Sequence, residues 1–272
     1  MNTDTQPSKG LAHFSPIRLF LLIQRDFLTH YRTIAIFTAA IAGFVIFTST
    51  LSSAAQSGNN FHQVLFFLIL YIGGFIFTSR AFRELFSSQK SYTYLTLPGS
   101  TLEKFVARLL LTSLIFTLGT LAVYLAIAAV SEGINKLLIG NTHQFLDPFS
   151  KKFLVAAAAY LVIQGVFLAG AVFFRKNAFI KTILSLMVLS ILLLIIALIV
   201  ARIVSPGYFG NIPRTNFQLD TLSDLASLLG MTEEGLLQLG RAIRIGLKIL
   251  FWAVLAPFLW VISYLKFRRI EA

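Results

Sequence analysis

The sequence predicts an all-α integral membrane protein: six transmembrane helices, an interfacial amphipathic helix before the first, and short external helices before the sixth. Three observations lead there. Of 272 residues, 57% are apolar and 12% charged, with a mean hydropathy of +0.80. Soluble domains carry about 25% charged residues, so hydrocarbon must solvate most of these side chains. The apolar residues fall into runs near the roughly 20 helical residues needed to cross a hydrocarbon core about 30 Å thick. The basic residues flank those runs instead of forming one stripe.

Before the first run, Ser15 and Pro16 read as a helix cap followed by proline at the first helical position. In the following segment, Arg18, Arg25, Asp26, Thr29 and Arg32 project to one side at 100° per residue, and Phe20, Ile23, Phe27, Leu28 and Tyr31 to the other. That segregation predicts a helix lying in the membrane interface. A cytoplasmic extension of the first span is the other arrangement these residues allow. The spans are predicted at residues 34–53, 61–78, 105–130, 153–174, 182–204 and 245–265. Pro257 should kink the last without ending it, because a membrane helix can satisfy the freed carbonyl through a neighbour. The chain then divides into an N-terminal segment 1–33, a six-span domain 34–265 and a tail 266–272.

Fifteen Lys and Arg fall on the side of the two chain ends and eight on the other, which predicts both termini in the cytoplasm by the positive-inside rule. The first apolar stretch is too long for a signal-peptide core, and no cleavable signal is expected. The formal charge of +12 is accounted for by topology and anionic headgroups, so no nucleic acid partner is expected. The bilayer is the first partner.

Two connections are long enough to have shape. In the cytoplasmic loop 80–104, residues 80–86 suit a short helix with Phe82 and Leu85 or Phe86 on one face. Pro98 and Gly99 then make a turn, Ser100 or Thr101 caps the next helix, and Glu103 stands three residues after Ser100 as in a capping box. In the external loop 205–244, Pro206 and Gly207 open a turn, and 220–229 and 232–239 read as two short helices broken at Gly230.

Enzyme signatures are sparse. There is no cysteine and no Gly-rich run ending in Gly-Lys-Ser/Thr, so neither a thiolate site nor a phosphate-cradling loop is expected. His13, His30, His62 and His143 read as isolated, without metal-ligand spacing inside a span. No Asp or Glu sits near a span centre, which weighs against an ion-driven carrier. Glu132, His143 and Asp147 share one external loop and are the residues available for lipid chemistry at the interface, though no triad or metal spacing accompanies them. Among polar residues in spans, Thr112, Ser113, Thr117, Gln164, Ser185 and Ser190 can line a path; hydrogen bonding between helices is the commoner use of such groups. Gly73, Gly74, Gly165 and Gly170 suggest close helix contacts before a ligand site. Arg202 can attract an anionic headgroup or snorkel to the interface.

Residues 94–108, with Leu97-Pro98-Gly99-Ser100-Thr101-Leu102-Glu103-Lys104-Phe105-Val106-Ala107-Arg108, resemble the LP-x-S-x-x-EKF-x-x-R segment between the second and third spans of permeases of the type 2 ATP-binding-cassette exporter class. The order of elements is similar across nearly the whole chain. The resemblance implies a permease subunit in a bacterial inner membrane, paired with a second permease subunit, with ATP and Mg bound by a separate cytoplasmic ATPase. No cofactor and no catalysis are then expected of this chain itself. It further implies that residues 80–85, with Phe82, Glu84 and Leu85, couple to the ATPase. Pro98, Gly99, Ser100, Glu103 and Lys104 then belong to the segment carrying movement into the third span. A scaffold or assembly factor that binds another cytoplasmic partner through loop 80–104 is the competing expectation.

Overall fold

The computed structural model describes residues 14–55, 60–86 and 99–204, together with 237–238, 241, 244–246 and 248–271. The chain is an all-α, multi-pass membrane protein: six helical stretches are long and apolar enough to span a bilayer, and no strand occurs among the described residues. Pro98 and the short helix expected at 220–229 lie outside the described residues, as does all of 232–239 except Leu237 and Gln238, which are helical.

Two compact units account for the chain. The first comprises residues 1–179 and 256–272 and holds α1 (Pro16–Ala54), α2 (Phe61–Ser79), a 3-10 turn (Arg83–Phe86), α3 (Thr101–Leu110), α4 (Phe116–Leu138), α5 (Lys151–Phe173) and α7 (Ala256–Glu271). The second comprises residues 180–255 and contains nearly all of α6 (Ala178–Val204) and a π-helical turn at Leu250–Leu255. None of the most apolar stretch of α6 is buried within the chain, as suits side chains whose solvent is lipid.

Helix α1 departs from expectation. Instead of an interfacial helix followed by a separate span, its 39 residues form one unbroken helix. Nothing between Tyr31 and Ile34 breaks it: Arg32 and Thr33 both tolerate helical geometry, and no glycine or proline intervenes. It begins at Pro16 as predicted, but the Ser15 side chain makes no capping bond.

The third span also differs. α3 and α4 are joined through a π-helical turn at Leu111–Ile115 into a single stretch, Thr101–Leu138, eight residues longer at its far end than the sequence suggests. Ser131, Glu132 and Gly133 look like a helix end. The helix continues past them because Glu132 and Asn135 find polar partners inside the protein.

The first unit packs around two apolar cores. One gathers Val45, Leu65, Phe66, Leu70, Tyr124, Ala128, Leu146, Phe153 and Tyr160. The other gathers Ala81, Phe82, Leu85, Phe105, Leu168, Ala171, Val172 and Phe267. Small residues permit the close approaches: a Cβ at Gly74 would overlap the Tyr160 ring, and one at Gly165 would lie 3.3 Å from Trp260 Nε1.

Candidate functional site

Polar chemistry in the first unit collects at two ends of its helices. At the end holding the start of α1 and the close of α7, Glu103 is fully buried. Its Oε2 accepts the Ser100 N–H at 2.8 Å while Ser100 Oγ accepts the Glu103 N–H at 3.2 Å, the capping box read from the sequence. Its Oε1 accepts the Ser15 N–H at 2.6 Å and lies 3.1 Å from Arg18 Nη2. One carboxylate therefore satisfies the first backbone donors of α1 and α3 together, where helix dipoles favour negative charge.

Arg108 makes the second tie, with Nη1 3.1 Å from Asp26 Oδ2 on α1 and Nη2 3.0 Å from Glu84 Oε2 on the 3-10 turn. An aromatic cluster adds a third: the Phe82 ring centroid lies 5.0 Å from that of Phe267 and 6.0 Å from that of Phe105. The turn after α2 is thus fastened to α1, α3 and α7.

Most of the residues expected to couple to a partner are packed within the chain. Phe82 and Leu85 are buried within the chain, packed with Phe105, Phe267 and their neighbours. Glu84 is engaged by Arg108, and Glu103 and Lys104 are buried. Gly99 lies beside Glu103, where a Cβ would sit 3.4 Å from Oε2. The side chains this turn leaves outward are Arg80 and Arg83, which are exposed.

Of the residues offered for a translocation path, the structure joins two. Gln164 Nε2 donates to Thr112 Oγ1 at 2.9 Å, both buried, and Tyr160 Oη donates to the Thr112 carbonyl at 3.2 Å. The π-helical turn alters the backbone hydrogen-bonding register around Thr112, and the tyrosine supplies a donor to its carbonyl. Thr117 bonds back to the Ser113 carbonyl at 2.7 Å, and Ser185 is exposed on α6 in the second unit. Interhelical bonding is what the Thr112–Gln164 pair does here.

The far end holds the arrangement that local spacing missed. His62, at the start of α2, is fully buried, and its Nε2 lies 2.7 Å from Glu132 Oε1 on α4. His143 Nδ1 lies 3.1 Å from the same oxygen, and the His143 N–H donates to Oε2 at 2.7 Å. Ser49 Oγ and Asn135 Nδ2 donate to Oε1 at 3.0 and 3.1 Å. The expectation that these histidines are isolated is therefore overturned. His62 and Glu132 are 70 residues apart in the chain, a separation that no helical-spacing rule detects.

Gly140 helps deliver His143. Its φ of +78°, readily adopted only by glycine, ends α4 with the Gly140 N–H bonded to the Asn135 carbonyl at 3.1 Å, and the chain folds back over Glu132. Asp147, grouped with Glu132 and His143 from the sequence, is elsewhere: it is exposed, and its Oδ1 accepts the Phe149 N–H at 3.0 Å in a local turn.

No family profile, curated protein or solved structure matches the chain.

Proposed function

We propose that this chain is the membrane-spanning permease subunit of an ATP-driven exporter, energised by a separate cytoplasmic ATPase and working beside a second permease subunit in a bacterial inner membrane with both chain ends inside. The observation that carries this reading is the fastening of the turn after α2. Arg108 and the Phe82–Phe105–Phe267 cluster link it to three helices, so a force applied at Arg80 and Arg83 reaches α1, α3 and α7 at once. Close packing transmits such displacement instead of absorbing it.

In this scheme closure of two ATPase subunits presses on the outward basic face of the turn, and the helices shift between two arrangements. A ligand biases one arrangement only by its differential affinity. The buried Phe82, Leu85 and Glu103 transmit the force, while Arg80 and Arg83 meet the acidic surface of the partner.

The test is co-expression with an ATPase encoded beside the gene, purification by a tag on the permease, and measurement of ATP hydrolysis in the complex. The expected result is a stable complex whose recovery falls roughly tenfold on the double charge reversal Arg80→Glu with Arg83→Glu, with folding intact. Failure of any such ATPase to co-purify would reject the proposal. Capture of a different cytoplasmic partner, with no ATP dependence, would assign the scaffold role instead.

A further inference from the structure

We propose that His62, Glu132 and His143 bind one divalent transition-metal ion of the zinc class, through His62 Nε2, His143 Nδ1 and Glu132 Oε1, at the end of the first unit where α1 closes and α2 begins. The site goes beyond the transport reading and does not depend on it.

Four features of the cluster support it. First, the three donor atoms, brought from α2, α4 and the loop after α4, lie within 4.8 Å of one another, and all three residues are buried. Ligand atoms around a four-coordinate zinc-class ion with bonds of about 2.0–2.1 Å stand roughly 3.3 Å apart. The present nitrogen-to-oxygen separations of 2.7 and 3.1 Å need only small outward shifts to admit an ion.

Second, the outward nitrogens are already occupied. The Tyr124 hydroxyl donates to the His62 carbonyl at 3.0 Å, which leaves its oxygen to accept the His62 Nδ1–H, also at 3.0 Å. That bond leaves Nε2 as the nitrogen that faces Glu132 and is available to an ion. His143 Nε2 is 3.2 Å from Ser52 Oγ, the corresponding partner for the second ring. An outer hydrogen bond that orients each imidazole is the usual companion of a histidine ligand.

Third, Glu132 Oε1 is oversubscribed. His62 Nε2, His143 Nδ1, Ser49 Oγ and Asn135 Nδ2 all stand 2.7 to 3.1 Å from this single oxygen, which offers about two lone-pair sites. A single ion held between the two nitrogens and the carboxylate removes two of those competing donors. Two imidazoles and a carboxylate form a borderline donor set suited to zinc, cobalt or nickel in preference to magnesium or calcium.

Fourth, Asn135 Oδ1 is buried beside the cluster and accepts no hydrogen bond from any described residue. Three protein ligands leave a fourth position on the ion for water, and such a water is the class of donor this amide lacks.

The test uses the full chain purified in detergent through a tag free of histidine, stripped with chelator, desalted, and titrated with Zn²⁺ or Co²⁺ alone. The wild type should retain one ion per chain, show the visible bands of four-coordinate Co²⁺ with nitrogen ligation, and melt at a higher temperature when loaded. Glu132→Gln and His143→Ala should weaken binding roughly a hundredfold or more, and Tyr124→Phe about 10- to 100-fold. Asp147→Asn should leave it unchanged. Should the ligand variants fail to fold, the wild-type cobalt spectrum decides: absence of nitrogen-ligated bands at saturating metal overturns the proposal. Equal binding by wild type and the His62→Gln, His143→Ala double variant overturns it as well. No ATPase enters the measurement, so its failure leaves the transport proposal standing, and the reverse.

Discussion

The two ends of the first unit each bury a carboxylate, Glu103 at one and Glu132 at the other, and they compensate its charge in different ways. Glu103 is held by the backbone N–H groups of Ser15 and Ser100 and by the Arg18 guanidinium, which offer hydrogens and no metal-binding lone pair. Glu132 is held by two imidazoles, a hydroxyl and an amide, and imidazole nitrogens are common metal ligands. A buried charge needs partners in either case. Whether those partners are fixed or exchangeable separates a rivet between helices from a site that can take a ligand.

The comparison breaks most severely at the rivet. Glu103→Ala leaves Arg18 and two helix-start amides without their acceptor, and should cost about 3–5 kcal/mol, the range for removing one side of a buried ion pair. Thermal melting of the purified chain measures it, and a loss under about 1 kcal/mol would show that water replaces the carboxylate freely. The comparison is sharpened by running Glu103→Gln and Glu132→Gln side by side with and without Zn²⁺. Metal at about 100 times its Kd should stabilise the wild type and Glu103→Gln by roughly 2.7 kcal/mol and Glu132→Gln hardly at all. Equal responses in the two variants would erase the distinction between the ends.

Packing between the ends supplies controls. Gly74→Leu, which drives a side chain into the Tyr160 ring, should cost about 1–3 kcal/mol without altering metal affinity. Gln164→Leu, which removes the bond to Thr112, should cost only about 0.6 kcal/mol, the usual size of an interhelical hydrogen bond in a membrane. A metal response altered by Gln164→Leu would mean that the two clusters are not independent.

Much of the rivet was legible in the sequence. Pro16 opening α1 and the Ser100–Glu103 capping box depend on residues within three positions of each other, and both are found. The second job of Glu103, accepting the Ser15 N–H across 88 residues, left no local trace. The far-end cluster was less legible still. Glu132 followed a run of small and apolar residues and preceded a glycine, so it read as loop; the longer helix and the approach of His62 turned it into a buried ligand. Where Phe82 and Leu85 pack is not a local property for a related reason. Amphipathic spacing shows that a face is apolar, and it does not say whether that face is covered by this chain or by another.

By itself the sequence determined that the chain is a six-span helical membrane protein and where most spans start and stop, because hydropathy over about twenty residues and hydrogen bonds within one helical turn are local quantities. Tertiary structure alone decided which buried carboxylate meets arginine and which meets histidine. Those pairings join residues up to 88 positions apart, and only the packing of the helices sets the distances that a charge buried away from water must satisfy.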